Sequence, residues 1–253
     1  MKKANKKKVN AAILIIGNEI LSGRTQDLNV SFLSNWLNIK CGISIGEVRV
    51  IPDIESKIKK NILELSKKFN YVFTTGGIGP THDDITAKSI SKAFKRKYEF
   101  HKEAYTILQR YYNKKNFNDG RKKMAKMPRG ASLIYNPVSA APGFIIKNVI
   151  CLPGVPSILK AMIENVKKYL VKGSVILNKS INLYTVESNI SKELTKIQRK
   201  FKSTVDIGSY PFFRLGAIGV SIVIRSTNEK KLNLCYLDIS RIVKKKKIKL
   251  FKN

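Results

Sequence analysis

Cysteine is scarce in this sequence: three residues in 253, at positions 41, 151 and 235. Their odd number and wide separation exclude a disulfide framework and any CxxC-type metal site, and they suit a reducing cytoplasm. Long apolar runs are missing too. The run from Ala11 to Ile16 falls far short of the roughly 20 residues a membrane-spanning helix needs, so a soluble protein without a membrane partner is expected. The opening MKKANKKK followed by Val9 to Ile16 imitates a signal peptide, but Asn10 interrupts the apolar part and no small-residue cleavage site follows. Residues 1–8 read instead as a disordered basic arm.

Acidic residues are the other scarcity. Asp and Glu total 17 against 49 Lys and Arg, a formal net charge of +32. Such a balance raises nucleic acid as a partner. However, 39 of the basic residues are Lys and only 10 are Arg, with dense runs only near the two ends. Geometric reading of phosphates favours the planar Arg fork, so a diffuse Lys excess reads as a solvated surface. Specific nucleic-acid recognition is therefore not expected. The length suits one large domain, or a medium and a small one, with a genuine core.

Along the chain, Ala11 to Ile16 has the continuous aliphatic character of a strand buried on both faces. Asn29 to Leu37 shows helical spacing, Ile43 to Ile51 reads as a strand, Ile54 to Leu65 as an amphipathic helix and Tyr71 to Thr75 as a third strand. That alternation predicts a layered α/β sheet with right-handed crossovers. Helices are expected at 87–94 and 102–112, then a basic connector up to Gly130, short strands at 133–135, 144–146 and 149–152, and a helix from Ser157 to Leu170. Near Val171 to Ser174 the pattern changes. A second unit follows, read as β-α-β-β-α: a strand at 181–186, a helix at 190–201, strands at 205–209 and 219–225, and a helix near 232–242. Gly208 to Pro211 with Phe212 and Phe213 reads as a turn with core aromatics rather than a base-stacking platform.

The segment from Thr75 to Thr86, TGGIGPTHDDIT, carries the chemistry. A buried strand ending in Gly76, Gly77 and Gly79 lets backbone approach a ligand and aim successive N–H groups into one concavity, an anion-binding nest. The helix behind it adds its positive end, so phosphate or pyrophosphate is the natural guest. Asp83 and Asp84 would repel that guest unless a divalent cation sits between them, since Mg²⁺ is commonly held by one or two carboxylates plus substrate phosphates. On the bland reading, Asp83, Asp84 and Thr86 merely cap a helix.

This segment resembles the TGG-x-GPT-x-DD-x-T signature of the CinA (competence/damage-inducible protein A) branch of the molybdopterin-binding MoaB/MogA-like family. Gly17-Asn18-Glu19-Ile20-Leu21-Ser22-Gly23, with Asp27 and Asn29 following, resembles that branch's first motif. Met127-Pro128, Asn136-Pro137, Ala141-Pro142-Gly143-Phe144 and Leu152-Pro153-Gly154-Val155-Pro156 resemble its later ones. The likeness spans about residues 8 to 170. It implies a three-layer MogA-like parallel sheet with helices on both faces over residues 9–172, with a pocket at the carboxyl ends of the strands, followed by a small KH-like α/β domain over 175–253.

Carried onto this sequence, the resemblance implies that Gly76, Gly77 and Gly79 cradle a diphosphate, with Thr75 and Thr81 in the same loop and Thr86 supporting it. Asp84 and Asp83 would hold a divalent metal, Mg, Mn or Co, and serve catalysis. Glu19 and Asn29 would face the same cleft, although Glu19 alternatively reads as an ordinary first-turn carboxylate. Gly143 and Gly154 would let the opposite wall come close, while Pro153 and Pro156 also read simply as a strand end and a helix start. His82 fills a variable position of the signature and is assigned no role. The activity implied is metal-dependent ADP-ribose pyrophosphatase, giving AMP and ribose 5-phosphate. The alternatives are a non-catalytic or adenylyl-transferring molybdopterin binder and, third, a basic nucleic-acid-associated protein. A homo-oligomer is expected by the same likeness. The deamidase activity of longer CinA proteins is not expected, and the second unit has no G-x-x-G loop of the kind a nucleic-acid-clamping KH domain uses.

Overall fold

The computed structural model describes residues 9–214 and 216–251, apart from the side chain of Lys114. The expected basic arm of residues 1–8 lies outside them. The chain divides into two units, residues 1–173 and 174–253.

In the first unit, β1 (Val9–Ile16) leads through α1 (Asn18–Leu21) into α2 (Asn29–Trp36), which continues as a π-helical turn over Leu37–Cys41 and stops at Gly42 with φ 66°. Then come β2 (Ile43–Ile51), α3 (Glu55–Lys68), β3 (Tyr71–Thr75) and α4 (Thr86–Ala93). After them lie β4 (Tyr98–Phe100), α5 (Lys102–Tyr111), α6 (Asn113–Asn116), α7 (Asp119–Lys123) and β5 (Lys126–Pro128). The unit closes with β6 (Ser132–Ile134), β7 (Gly143–Ile146), β8 (Val149–Leu152) and α8 (Pro156–Met162), whose first position is Pro156. The helix expected to reach Leu170 changes to 3₁₀ geometry over Ile163–Tyr169.

The central sheet has the order β2-β1-β3-β8-β7-β6. β2, β1, β3 and β8 run parallel, whereas β7 and β6 add antiparallel. The sheet is thus mostly parallel, not wholly so, because β7 returns to β8 by a tight turn that only antiparallel strands permit. β1 lies between β2 and β3, and its alternation generates the layers. Ala12, Leu14 and Ile16 pack with Ile58, Ile62 and Leu65 of α3 and Ile90 of α4. Ala11, Ile13 and Ile15 pack on the opposite side with Leu33 and Trp36 of α2 and Leu159 and Met162 of α8. Helices on both faces explain why β1 is aliphatic from Ala11 to Ile16.

The sequence pattern missed the small two-stranded sheet β4-β5. It also missed the short helices α6 and α7 inside the basic connector, whose strands and turns are too brief to show a period.

The second unit comprises β9 (Leu177–Leu183), α9 (Ser191–Phe201), β10 (Asp206–Arg214), β11 (Ala217–Ser226) and α10 (Glu229–Lys245). Its antiparallel sheet has the order β10-β11-β9. Ile181, Leu183, Val220, Ile222 and Ile224 bury one face against Leu194, Ile197, Leu232, Cys235 and Ile239. The reading of Gly208 to Phe213 as a turn with core aromatics is corrected. These residues form most of β10, Tyr210 and Phe213 are exposed, and Phe212 is half-buried. Pro211 is tolerated because β10 lies at a sheet edge, where a missing N–H costs little. Among the described residues no helix is long and apolar enough to cross a membrane.

Phe73, in β3, is a wholly buried core side chain. Replacing it with Ala should cost about 3–5 kcal/mol. Trp36 is the sole tryptophan and lies in the same core, so its fluorescence in a denaturant titration reports this unit; a loss below ~1 kcal/mol would contradict the packing described.

Candidate functional site

The glycine loop leaves β3 at the carboxyl ends of the parallel strands. Gly76 has φ +97°, and a Cβ there would lie 2.1 Å from the Ile16 carbonyl oxygen. Its N–H donates to Leu152 O at 3.2 Å, and its Cα approaches the Cβ position of Gly154 to 3.4 Å. Gly76 is therefore locked between β1 and the end of β8, with its N–H spent on the sheet. The expected nest of successive donors is corrected on this point: the part of the loop that lines a pocket is Gly77, Ile78 and Gly79. Gly77 has φ +67°, and a Cβ there would meet Thr86 Oγ1 at 2.2 Å. Thr86 is buried, donates its hydroxyl to Gly76 O at 3.1 Å and its N–H to Gly77 O at 2.9 Å, and so pins the loop to the first turn of α4.

Asp83 and Asp84 do not cap that helix. Its N-cap is Ile85, without a side-chain cap bond. The Asp84 carboxylate instead folds back over Gly79, where a Cβ would lie 2.7 Å from Oδ2, and accepts from Thr81 N–H at 2.8 Å and from the Thr81 hydroxyl. The Thr81 hydroxyl also holds the exposed Asp83 carboxyl below its ordinary range, helped by His82 and Lys123. Lys123 donates to the Thr81 carbonyl from the other side.

A further carboxylate, which the sequence pattern did not reveal, joins this group. Asp53 follows β2, and its Oδ1 comes within 3.5 Å of the Cβ position of Gly77. Oδ2 accepts the Asn18 N–H at 2.9 Å. Burial pushes the Asp53 carboxyl above its ordinary range, against the Asn18 hydrogen bond, and the negative charges of Glu19, Asp83 and Asp84 push it further. Glu19, in the first turn of α1, lies over Gly17, where a Cβ would meet its Oε1 at 2.5 Å. Four carboxylates thus gather round one loop. Among the described residues no three Asp, Glu, His or Cys side chains converge closely enough to hold a metal by themselves. Hard oxygen donors in that dispersed arrangement fit an ion shared with substrate phosphates, as Mg²⁺ usually is, rather than a closed protein cage.

The facing wall of the pocket is cationic and aromatic: Tyr98, Lys123, Lys126, Pro142 and Phe144. Lys126 lies 4.6 Å from the Phe100 ring centroid. Neither lysine stood out among the 39 in the sequence. Asn29 is buried, positioned by Asp27, which accepts the Asn29 and Val30 N–H groups. Its Nδ2 donates to Gly154 O at 2.7 Å, while its Oδ1, like the buried Thr75 Oγ1, has no hydrogen-bond partner among the described residues. Such orphaned acceptors are what a ligand donor would satisfy. Gly143 stands apart from this group. A Cβ there would meet Cys151 O at 2.4 Å and the Met162 methyl at 3.1 Å, so its missing side chain serves strand packing rather than ligand approach.

Because Asp53 is raised in the folded protein, its ionisation opposes folding above the ordinary Asp range, about pH 4, and the penalty is absent below it. Asp53→Asn should therefore raise the melting temperature at pH 7, with the gain fading as pH falls towards about 4 and gone below it. Melting curves between pH 3.5 and 8 test this, and a gain independent of pH would contradict it.

The family described as "Probable molybdopterin binding domain" matches residues 12–172, and the "FAD synthase, middle domain" family matches residues 175–252. A protein of Archaeoglobus fulgidus is 34% identical over 199 residues, covering 79% of this chain and 84% of its own length. A "Probable FAD synthase" of Caenorhabditis elegans is 33% identical over 229 residues, which cover 79% of this chain but 43% of that relative. The crystal structure of the protein CinA from Thermoplasma acidophilum superposes with a TM-score of 0.59 at 31% identity, covering 64% of this chain and 99% of that one. With its glycine loop and TGGIGPTHDDIT segment in the matched region, this chain belongs to the molybdopterin-binding, MoaB/MogA-like domain family, in its CinA-like branch.

Proposed function

We propose that the first unit binds a nucleotide diphosphate and hydrolyses its pyrophosphate bond, with ADP-ribose as the substrate type. One observation carries the reading: Asp84 lines one pocket with Gly77, Gly79, Lys123 and Lys126, and Asp53, Asp83 and Glu19 lie near enough for their charges to act together with it. Acidic and basic groups placed together this way suit a phosphate-bound divalent cation better than a neutral ligand.

Gly77 and Gly79 allow the diphosphate to approach the backbone, and the start of α4 faces it. Lys123 and Lys126 would neutralise the phosphoryl oxygens on the far side. Asp84, one oxygen of which is held by Thr81, and Asp83 would hold the cation, with Asp53 as a third donor. When bound, Mg²⁺, Mn²⁺ or Co²⁺ would supply charge neutralisation at the phosphoryl groups and lower the pKa of a coordinated water. Asn29 Oδ1 and Thr75 Oγ1 would accept donors from the sugar or base. Addition of water to the phosphoanhydride gives AMP and ribose 5-phosphate, with the bridging oxygen leaving on one of the two phosphates. A relative named for FAD synthesis agrees in ligand class, since FAD is itself a dinucleotide joined through pyrophosphate. The description of the matched family favours a pterin as the competing ligand.

Purified full-length protein with each of the three metals should convert ADP-ribose to AMP and ribose 5-phosphate, read by chromatography. Asp84→Ala should lower the rate by at least about 100-fold, with the fold retained by circular dichroism. No turnover with any metal, together with tight binding of molybdopterin, would overturn the hydrolase reading in favour of a pterin binder or transferase.

A further inference from the structure

The three-stranded sheet of the second unit buries one face under α9 and α10 and leaves the other uncovered by them. On a strand, alternate residues share a face. The uncovered face therefore carries Asp206, Gly208, Tyr210, Phe212 and Arg214 of β10, and opposite them Arg225, Val223, Ser221, Gly219 and Ala217 of β11. Two of these glycines sit beneath aromatic rings. A Cβ at Gly208 would lie 2.7 Å from the Tyr210 hydroxyl, and one at Gly219 would lie 2.4 Å from Phe212 Cζ. Both rings consequently reach along the sheet over those glycines, and Tyr210 is left exposed. The absence of side chains at 208 and 219 makes that posture possible.

Guanidinium groups flank the rings. Arg225 donates to the Tyr210 hydroxyl at 2.8 Å and pairs with Asp206 at 3.3 Å, and Arg214 lies 5.4 Å from the Phe212 centroid. Phe251 closes one end of the platform. Its ring meets Phe212 edge-on at 5.2 Å and Tyr184 at 4.5 Å with a 36° tilt. A polar concavity beside the rings is lined by Asn178, Ser180, Ser221, Arg214 and Arg225. Residues 174–253 contain 17 Lys and Arg against five Asp and Glu.

We propose that this face binds single-stranded nucleic acid, with unpaired bases stacking on Tyr210 and Phe212 and the backbone tracking the flanking arginines. A protein partner with an apolar surface would find rings of this kind attractive too, but the strong positive charge of the unit and the Arg214 guanidinium beside Phe212 favour a polyanion with flat, exposed rings. A duplex hides its base faces and cannot use the platform. Stacking discriminates poorly among bases, so the binding is general rather than sequence-specific. This inference is independent of the reaction assigned to the first unit, since none of its residues belongs to that pocket.

The test is fluorescence anisotropy of the full-length protein with labelled single-stranded RNA and DNA of about 12 nucleotides, beside a duplex of equal length and at two salt concentrations. Single strands should bind more tightly than the duplex. Tyr210→Ala combined with Phe212→Ala leaves the charge unchanged and should weaken single-strand binding by roughly 10- to 100-fold while leaving duplex binding as it was. Tyr210→Phe combined with Phe212→Tyr keeps the rings and should restore affinity, which separates stacking from misfolding. Equal affinity for duplex and single strand, or an alanine variant that binds like wild type, would overturn the proposal and leave only a diffuse lysine field. A change in sedimentation of the alanine variant without a change in oligonucleotide affinity would overturn it as well, because the rings would then serve contact between copies of the chain.

Discussion

The candidate site depends on one close approach: backbone against backbone at Gly76. That residue sits where β1, β3 and β8 end together, with the Ile16 carbonyl occupying the place of a side chain and its own N–H bound to Leu152. Parallel strands in register make the three ends coincide, and helices on both faces keep those strands buried along almost their whole length. The loop can then leave the sheet only as glycine. Everything that follows, including the seat of Thr86 under Gly77 and the fold of Asp84 over Gly79, is a consequence of where the chain emerges.

Electrostatics then decide what the pocket can accept. A protein with a net charge of +32 keeps four of its few carboxylates together around one loop, where the charges of Glu19, Asp83 and Asp84 add to the burial that raises Asp53. Assembling like charges in this way opposes folding, and its natural compensation is a cation. Lys123 and Lys126 line the same pocket without neutralising the group by direct pairing in the described structure; the salt bridges formed elsewhere use other residues. Separated donors of both signs favour a ligand that carries charge of its own together with a counterion.

Much of this was legible in the sequence because it rests on local chemistry. The aliphatic run of β1, the helical spacing of α3 and the glycine cluster after β3 each announce themselves over a few residues. Asp53 does not, since it is a lone acid after Pro52 whose nearness to the loop arises only from the pairing of β2 with β1. Lys123 and Lys126 are likewise two among many until α7 and β5 turn them towards Gly79. Gly143 illustrates the opposite failure: a motif glycine that serves strand packing. In β10, Gly208 and Pro211 are turn formers in isolation, yet an edge strand accommodates the proline and a flat ring covers the glycine. Context beyond the strand itself assigns both.

On the function proposed, the carboxylates, the glycine loop and the lysines recognise a metal and a diphosphate jointly. Calorimetric titration of ADP-ribose into the full-length protein, with Mn²⁺ and then with chelator, measures this directly. Coupled recognition predicts that Mn²⁺ tightens ADP-ribose binding and that ADP-ribose tightens Mn²⁺ binding by the same factor, as linkage requires. Equal affinity for ADP-ribose in Mn²⁺ and in chelator would contradict the account.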